Sequence, residues 1–439
     1  MAAMQGEEAG RPRFGWLEGL RGVAAIQVVA LHVVQAFLPH WEGRGGPLEI
    51  LQDGHVAVYL FFLLSGAVLT LSFQAQPGFL AQTAKRVVRL GLPVAAAAGL
   101  AALLLAAWPQ AHVQAAHWSG STWLATDSSG PASARQVIRE TFVESMLTGY
   151  ADTTLLPDFA AAWLNLDPLA RSLDTPLWTL HYEFYGSLMV FGLVALRRRT
   201  RLGHAAAVGL MALLFGAQTM FLFVLGHLAA GWLGTKRPAR PVALAAGLVL
   251  LAAGVALCAR KDWGAVADLR LLLDRVLLVR APNLFQFGAQ LAAVVLFAAP
   301  LLAPPLRRAL ETSVPRRLGR LSFGIYLLHF PILFTLGCLA FTALHGLPQL
   351  LAAALAVAVV AAVTLPAAAL FERWIDRPAI ALARRIGRAV RGLPPPQGQA
   401  AGEPAGEQRQ RRREPDPSGD ADAAAEQGED HGLRQIADG

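Results

Sequence analysis

The stretch Trp16 to Pro39, WLEGLRGVAAIQVVALHVVQAFLP, decides the fold. It is apolar and long enough to cross a bilayer, which takes about 20 helical residues at 1.5 Å each. Yet it carries Glu18, Arg21 and His32. An arginine at mid-membrane costs about 2.5–3.5 kcal/mol on insertion scales, so such groups face a bundle interior or a wet cavity. Arg21 and His32 are eleven positions apart. At about 100° per residue they share one helical stripe, roughly 16 Å apart along the axis. One stripe then holds a permanent cation near one membrane face and a titratable imidazole deeper in. That suits a site fed with an anionic substrate from the cytoplasm and doing proton chemistry further up.

The rest of the chain fits an all-α polytopic integral membrane protein. Its 439 residues are 55% hydrophobic and 15% charged, where a soluble domain has about 25% charged residues. The apolar runs are rich in Ala, Leu and Val and lack the ten-residue alternation of an outer-membrane barrel. The net charge of +8 sits in short clusters between apolar runs, so it reads as topology and not as nucleic-acid binding. Cys258 and Cys338 are too few for a disulfide framework or a metal site. They read as core residues, with pairing as the lesser alternative. The first apolar run lacks an evident cleavage site and is expected to stay as an anchor.

Ten spans are expected, near 16–38, 55–75, 91–108, 177–196, 202–216, 219–235, 241–259, 284–303, 321–342 and 349–371. Every Lys/Arg cluster then falls on one side: Arg11 and Arg13, Lys85 to Arg89, Arg197 to Arg201, Lys236 to Arg240, Arg307 to Arg320, and Arg373 to Arg385. The positive-inside rule makes that side cytoplasmic, with both termini there. The weak point is 202–235, where two spans of about fifteen residues share a hairpin near Gly216. Residues 1–15 form a cytoplasmic N-terminus, 16–380 the membrane domain, and 109–176 a long outer loop rich in tryptophan. That loop reads as an interfacial cap or, functionally, as a lid or acceptor-recognition surface. The tail 392–439 has almost no large apolar residue and is expected to be disordered.

Several polar residues stand out. His32 has the chemistry of a general base. Arg86 and Arg89 are i, i+3 and share a face if helical; their guanidinium forks match phosphate oxygens. Glu183 and His32 both lie roughly 9–11 Å below the outer boundary of their spans, so Glu183 is expected to orient or charge His32. The bland alternative pairs it with another polar group such as His181. Tyr326 and His329 share a face in the inner half of their span, below His32. Ser65-Gly66 reads equally as close helix packing or as substrate lining.

These motifs also carry a resemblance. Leu17-Glu18-Gly19-Leu20-Arg21-Gly22 followed by His32, then Val58 to Gly66, Lys85 to Pro93, Pro176 to Glu183, Leu318 to Pro331 and Phe371 to Pro378 resemble, in order, the signatures of the membrane acyltransferase-3 family. Tyr59, Ala67 and the residues after Glu183 depart from the usual pattern, the last toward fungal-type members. The resemblance implies a ten-helix enzyme that moves an acyl group, often acetyl, to a hydroxyl of a sugar, glycolipid or other small molecule. It implies His32 as the catalytic histidine. Acyl-CoA, first of all acetyl-CoA, is the expected co-substrate, with no tightly bound cofactor and no metal. Arg21, Arg86 and Arg89 would hold the donor's phosphates, with Tyr326 and His329 along its channel. Ser65 and Trp178 are the candidates to line the substrate and stabilise the oxyanion. Membrane lipid, the acyl-CoA and a hydroxyl-bearing acceptor are the expected partners, in a plasma membrane or an endomembrane. A proton-coupled transporter or flippase is the rival reading, since intramembrane Arg, His and Glu also suit a proton relay.

Overall fold

The computed structural model describes residues 14–43, 47–126, 133–233 and 241–393. The expectations for Arg11, Arg13, Lys236, Arg237, Arg240 and the tail beyond Leu393 lie outside the described residues. The described residues are helical, with no strand among them.

Ten helices occupy the ten apolar runs. They are α1 (Gly15–Phe37), α2 (Gly54–Ala75), α3 (Phe79–Ala107), α4 (Trp178–Arg199), α5 (Arg201–Phe215), α6 (Phe221–Leu233), α7 (Pro241–Ala259), α8 (Leu284–Leu302), α9 (Ser313–Ile332) and α10 (Gln349–Phe371). Helix α9 runs on through a π turn at Leu333–Gly337 to Ala343, and α10 through a second at Glu372–Asp376 into a basic helix, Arg377–Ala389. Seven of the ten are long and apolar enough to cross a membrane. Helix α4 is long enough but too polar to count among the seven, and α5 and α6 have only 15 and 13 residues. The hairpin expected at 202–235 is therefore two short helices, each below the ~20 residues of an ordinary span.

Polar side chains start several of these helices. The Asp53 carboxylate accepts from Val56 N at the start of α2, and Asn283 Oδ1 accepts from Gln286 N at the start of α8. Such caps satisfy one of the orphan donors of a first turn. Asp53 has a second, buried partner: Lys261 Nζ lies 3.0 Å from its Oδ2 and 4.4 Å over the Phe285 ring.

Helices α2 and α9 form the centre. The first packs against α1, α4, α6 and α8, the second against α1, α3 and α10. Glycines set how closely they approach. A Cβ on Gly22 would fall 2.6 Å from Gly319 N, and one on Gly319 would fall 1.9 Å from Glu18 O, so α1 and α9 meet backbone to backbone. Helix α6 joins α2 in the same way, through Gly66 against Phe223 and Gly226 against Leu63. Helix α5 has no buried residue. Cys258 and Cys338 are both free and buried, as expected of core residues.

The described basic clusters gather at one end of the bundle. Arg316 reaches Glu18 at the start of α1, Arg198 donates to Gln74 O at the end of α2, and Lys85 meets Gln76. At the other end, the segment after α3 folds into short helices, Ala111–Ser119 and Thr122–Thr126. These dock on the end of α1 through Ser121 Oγ donating to Gln35 O, and through Gln349 bridging Phe37 O and Ser119 O.

Candidate active site

Helix α3 begins at Phe79, not near residue 91, so the Lys85 to Pro93 motif is helical and Arg86 and Arg89 do share a face. Both face a cavity of about 690 Å³ between α1, α2, α3, α4, α9 and the π turn after α10. Arg21, Ser65, Glu183 and Tyr326 line it as well. Among the described residues five arginines and four carboxylates share its wall, so the basic mouth expected from the sequence is largely internally neutralised there. Arg86 pairs with Glu183, Arg316 lies 3.7 Å from Glu18, and Glu372 is held by Arg377 at 2.6 Å. Among the described residues, no carboxylate oxygen lies within 4 Å of Arg21, Arg89 or Arg320. These three remain available to an anion.

Glu183 does not meet His32. Its Oε2 takes Arg86, and its Oε1 accepts from Ser65 Oγ at 2.6 Å. The expected pairing fails for a physical reason: the two groups do not share a depth, because Thr179 of α4 already meets the Tyr326 hydroxyl, a turn short of His329, and Glu183 lies a further turn along α4, where Arg86 on the extended α3 takes its carboxylate. Ser65, with its hydroxyl proton committed to Glu183, lies on the cavity wall and not at His32. Trp178 stands edge-on to Tyr182 at 5.6 Å; Ser65, bound to Glu183, is not placed to serve an oxyanion beside His32.

The partner of His32 is His329, with Nδ1 2.8 Å from Nε2. This corrects the inner-half position expected for His329; only Tyr326 lines the cavity. The parallel, close-packed α1 and α9 bring the two rings together, stacked at 5.1 Å between centroids and 11° between planes. Hydrogen-bond chemistry then fixes the tautomers. His329 Nδ1 faces two carbonyl oxygens, Ile325 O at 3.0 Å and Tyr326 O at 2.8 Å. Carbonyls only accept, so that nitrogen carries the proton. With both rings neutral, His329 Nε2 is an acceptor and His32 Nδ1–H donates to it. His32 Nε2 is left with a lone pair, the form a general base requires.

Sequence reasoning missed Trp123. The segment after α3 brings it over His32, with its ring stacked on the imidazole at 5.4 Å and 8°. Phe330 closes the edge at 5.8 Å. The only sequence signal was tryptophan in a loop, which interfacial anchoring explains equally well; Trp163, 84% exposed, fits that reading.

Tyr326 stands between cavity and histidines. Its hydroxyl donates to Pro176 O at 2.9 Å and lies 2.9 Å from Thr179 Oγ1, and its ring is 6.0 Å from that of His329. The cavity therefore ends about one helical turn short of the histidine pair.

A sequence profile described as an acyltransferase domain matches residues 14–372, a range that contains the histidine pair, the first five signature stretches with the start of the sixth, and all of the cavity wall but Asp376 and Ile380. The chain belongs to the membrane acyltransferase-3 family. No curated protein and no solved structure matches it. Membership makes this a multi-pass membrane acyltransferase in general terms.

The acyltransferase's segment between α3 and α4 holds a buried acidic group. Glu140 accepts from Leu173 N at 2.9 and 2.8 Å and from Asp174 N at 3.1 Å. Burial, opposed by those hydrogen bonds, pushes its carboxyl up to about 7. Burial, then Glu140, raises Asp174 well above the usual carboxylate range. This pair holds the turn that presents Pro176 O to Tyr326.

Proposed function

We propose that the protein transfers an acyl group, acetyl in the simplest case, from a cytoplasmic acyl-CoA to a hydroxyl of a carbohydrate, glycolipid or other small acceptor, with His32 as general base. The observation that carries this reading is the relay from the Ile325 and Tyr326 carbonyls through His329 to His32, which leaves His32 Nε2 unprotonated. The basic end of the bundle is assigned to the cytoplasm by the positive-inside rule, with both termini on that side.

In this reading the donor's phosphates bind at Arg21, Arg89 and Arg320, and its acyl arm passes Tyr326 to reach His32. The arm has roughly 16 Å to cover, the rise from Arg21 to His32 along α1. His32 Nε2 accepts the proton of the acceptor hydroxyl as the oxygen attacks the thioester carbonyl. The tetrahedral intermediate then expels the thiolate, which takes that proton back from His32. His329 is a positioning residue: it fixes the tautomer and, on accepting a hydrogen bond, favours the imidazolium formed midway. Trp123 covers the ring on the acceptor side and keeps water from the thioester. Glu183 holds Arg86 and Ser65 in the cavity wall and takes no proton.

The test is transfer of label from acyl-CoA in membranes with matched protein levels. Label is expected in a wild-type product and absent with His32→Ala. Transfer that survives His32→Ala overturns the mechanism. Substrate flux across sealed vesicles without thioester consumption would favour a transporter instead.

A further inference from the structure

A second cavity, of about 810 Å³, lies apart from the first between the ends of α2, α4, α5 and α6. Its size falls within the ~300–1,000 Å³ typical of small-molecule sites. One wall is Arg197 and Arg198 from the last turn of α4 and Arg201 and His204 from the first turn of α5; the other is Leu228, Gly231 and Trp232 of α6. Among the described residues no carboxylate lines it, and none lies within 4 Å of the three arginines. The contrast with the first cavity, where carboxylates offset most of the charge, is direct.

Positive-inside signalling accounts for arginines at a helix end, but not for the fixed polar wall beneath them. Thr70 Oγ1 donates to Gly66 O at 2.8 Å, so its oxygen accepts from His227 Nδ1, also at 2.8 Å. His227 Nε2 then accepts from His204 Nε2 at 2.9 Å. His227 is fully buried. This chain anchors His204, and with it the start of α5, to the core helix α2. Arg198 is tied to the same helix by donating to Gln74 O at 2.8 Å.

The opposite side is apolar and open. Leu228 and Trp232 are exposed, and α5 adds the exposed Leu202, Leu210 and Phe215. Charge at one end of a groove and an apolar flank leading away from it match an amphiphile lying against the bundle. Guanidinium forks suit a phosphodiester, and a tryptophan at the bundle's end suits headgroup depth. We infer that this groove is a binding site for an anionic glycerophospholipid, with its phosphate on Arg197, Arg198 and Arg201 and its acyl chains along α5 and α6. The site is separate from the proposed chemistry and stands or falls without it.

The experiment is native mass spectrometry of the full-length protein from micelles with equal phosphatidylglycerol and phosphatidylcholine. Wild type is expected to retain phosphatidylglycerol preferentially. Neutralising the arginines as Arg197→Gln, Arg198→Gln and Arg201→Gln is expected to lower that preference roughly fivefold for each one replaced, while Arg260→Gln, elsewhere on the surface, leaves it unchanged. Unaltered selectivity in the triple variant overturns the site. If the triple variant does not fold, Leu228→Ser with Trp232→Ala tests the apolar wall: retention is expected to fall, and unchanged retention overturns the inference. Displacement of the lipid by soluble glycerol phosphate at equal concentration would make this a site for a free phosphate, and would overturn the lipid assignment.

Discussion

Replacing His329 by alanine removes the only acceptor seen for His32 Nδ1–H among the described residues. That part-buried donor is then unpaired, at about 1–3 kcal/mol, and the ring is free to turn or to move its proton to Nε2. If the whole cost falls on the transition state, transfer slows by about five- to 150-fold. His329→Gln is the conservative control. Its amide oxygen can accept from His32 and its N–H can reach the Ile325 or Tyr326 carbonyl, so it is expected to stay within about fivefold of wild type, since it restores the hydrogen bond at stake. The assay is the initial rate of label transfer at saturating acyl-CoA, with donor KM measured alongside. KM is expected to hold, because His329 does not line the cavity. A wild-type rate in His329→Ala, with His32→Ala inactive, would refute the positioning argument.

Three further outcomes follow from the packing. Glu140 is protonated more readily folded than unfolded, so the folded segment between α3 and α4 binds the extra proton between about pH 4.5 and 7 and loses stability as pH rises through that window; the hydrogen-exchange protection of residues 134–176, taken relative to the base-catalysed intrinsic rate at each pH, should be lower at pH 8 than at pH 5, and Glu140→Gln should flatten the difference. Gly319→Ala places a methyl 1.9 Å from Glu18 O, so α1 and α9 must part, at about 1–3 kcal/mol; both melting temperature and transfer should fall, and a fully active variant would show that the helix contact does not govern the histidine pair. Asp53→Ala strands a buried Lys261 and should cost about 3–5 kcal/mol, whereas replacing both partners with apolar residues of similar volume should cost far less; thermal melts of the two variants in detergent compare them.

Much of this was legible in one dimension only. Hydropathy gave the helices, and the eleven-residue spacing gave Arg21 and His32 one stripe. The i, i+3 spacing placed Arg86 and Arg89 together. Partners were not legible. Depth counted from an expected span boundary put Glu183 level with His32, whereas Thr179 meets Tyr326 below His329 and Glu183 lies a further turn down, beside Arg86. Counting the span from Leu321 sets His329 too low, because α9 begins eight residues earlier, at Ser313. Trp123 was hidden because only the fold of residues 111–126 says where a loop residue lands.

The contact between α1 and α9 has a consequence for how this chain can vary. Gly22 faces Gly319, and His32 faces His329; each pair is 297 positions apart in the chain. Two parallel helices thus keep one common register over the ten residues from glycine to histidine, like the two scales of a slide rule. Deleting one residue between Gly22 and His32 would turn the imidazole by about 100° and lower it by about 1.5 Å, out of reach of its partner. A matching deletion between Gly319 and His329 would realign the scales. The pair is therefore specified as a difference between two lengths, so that length changes in either segment are admissible only together.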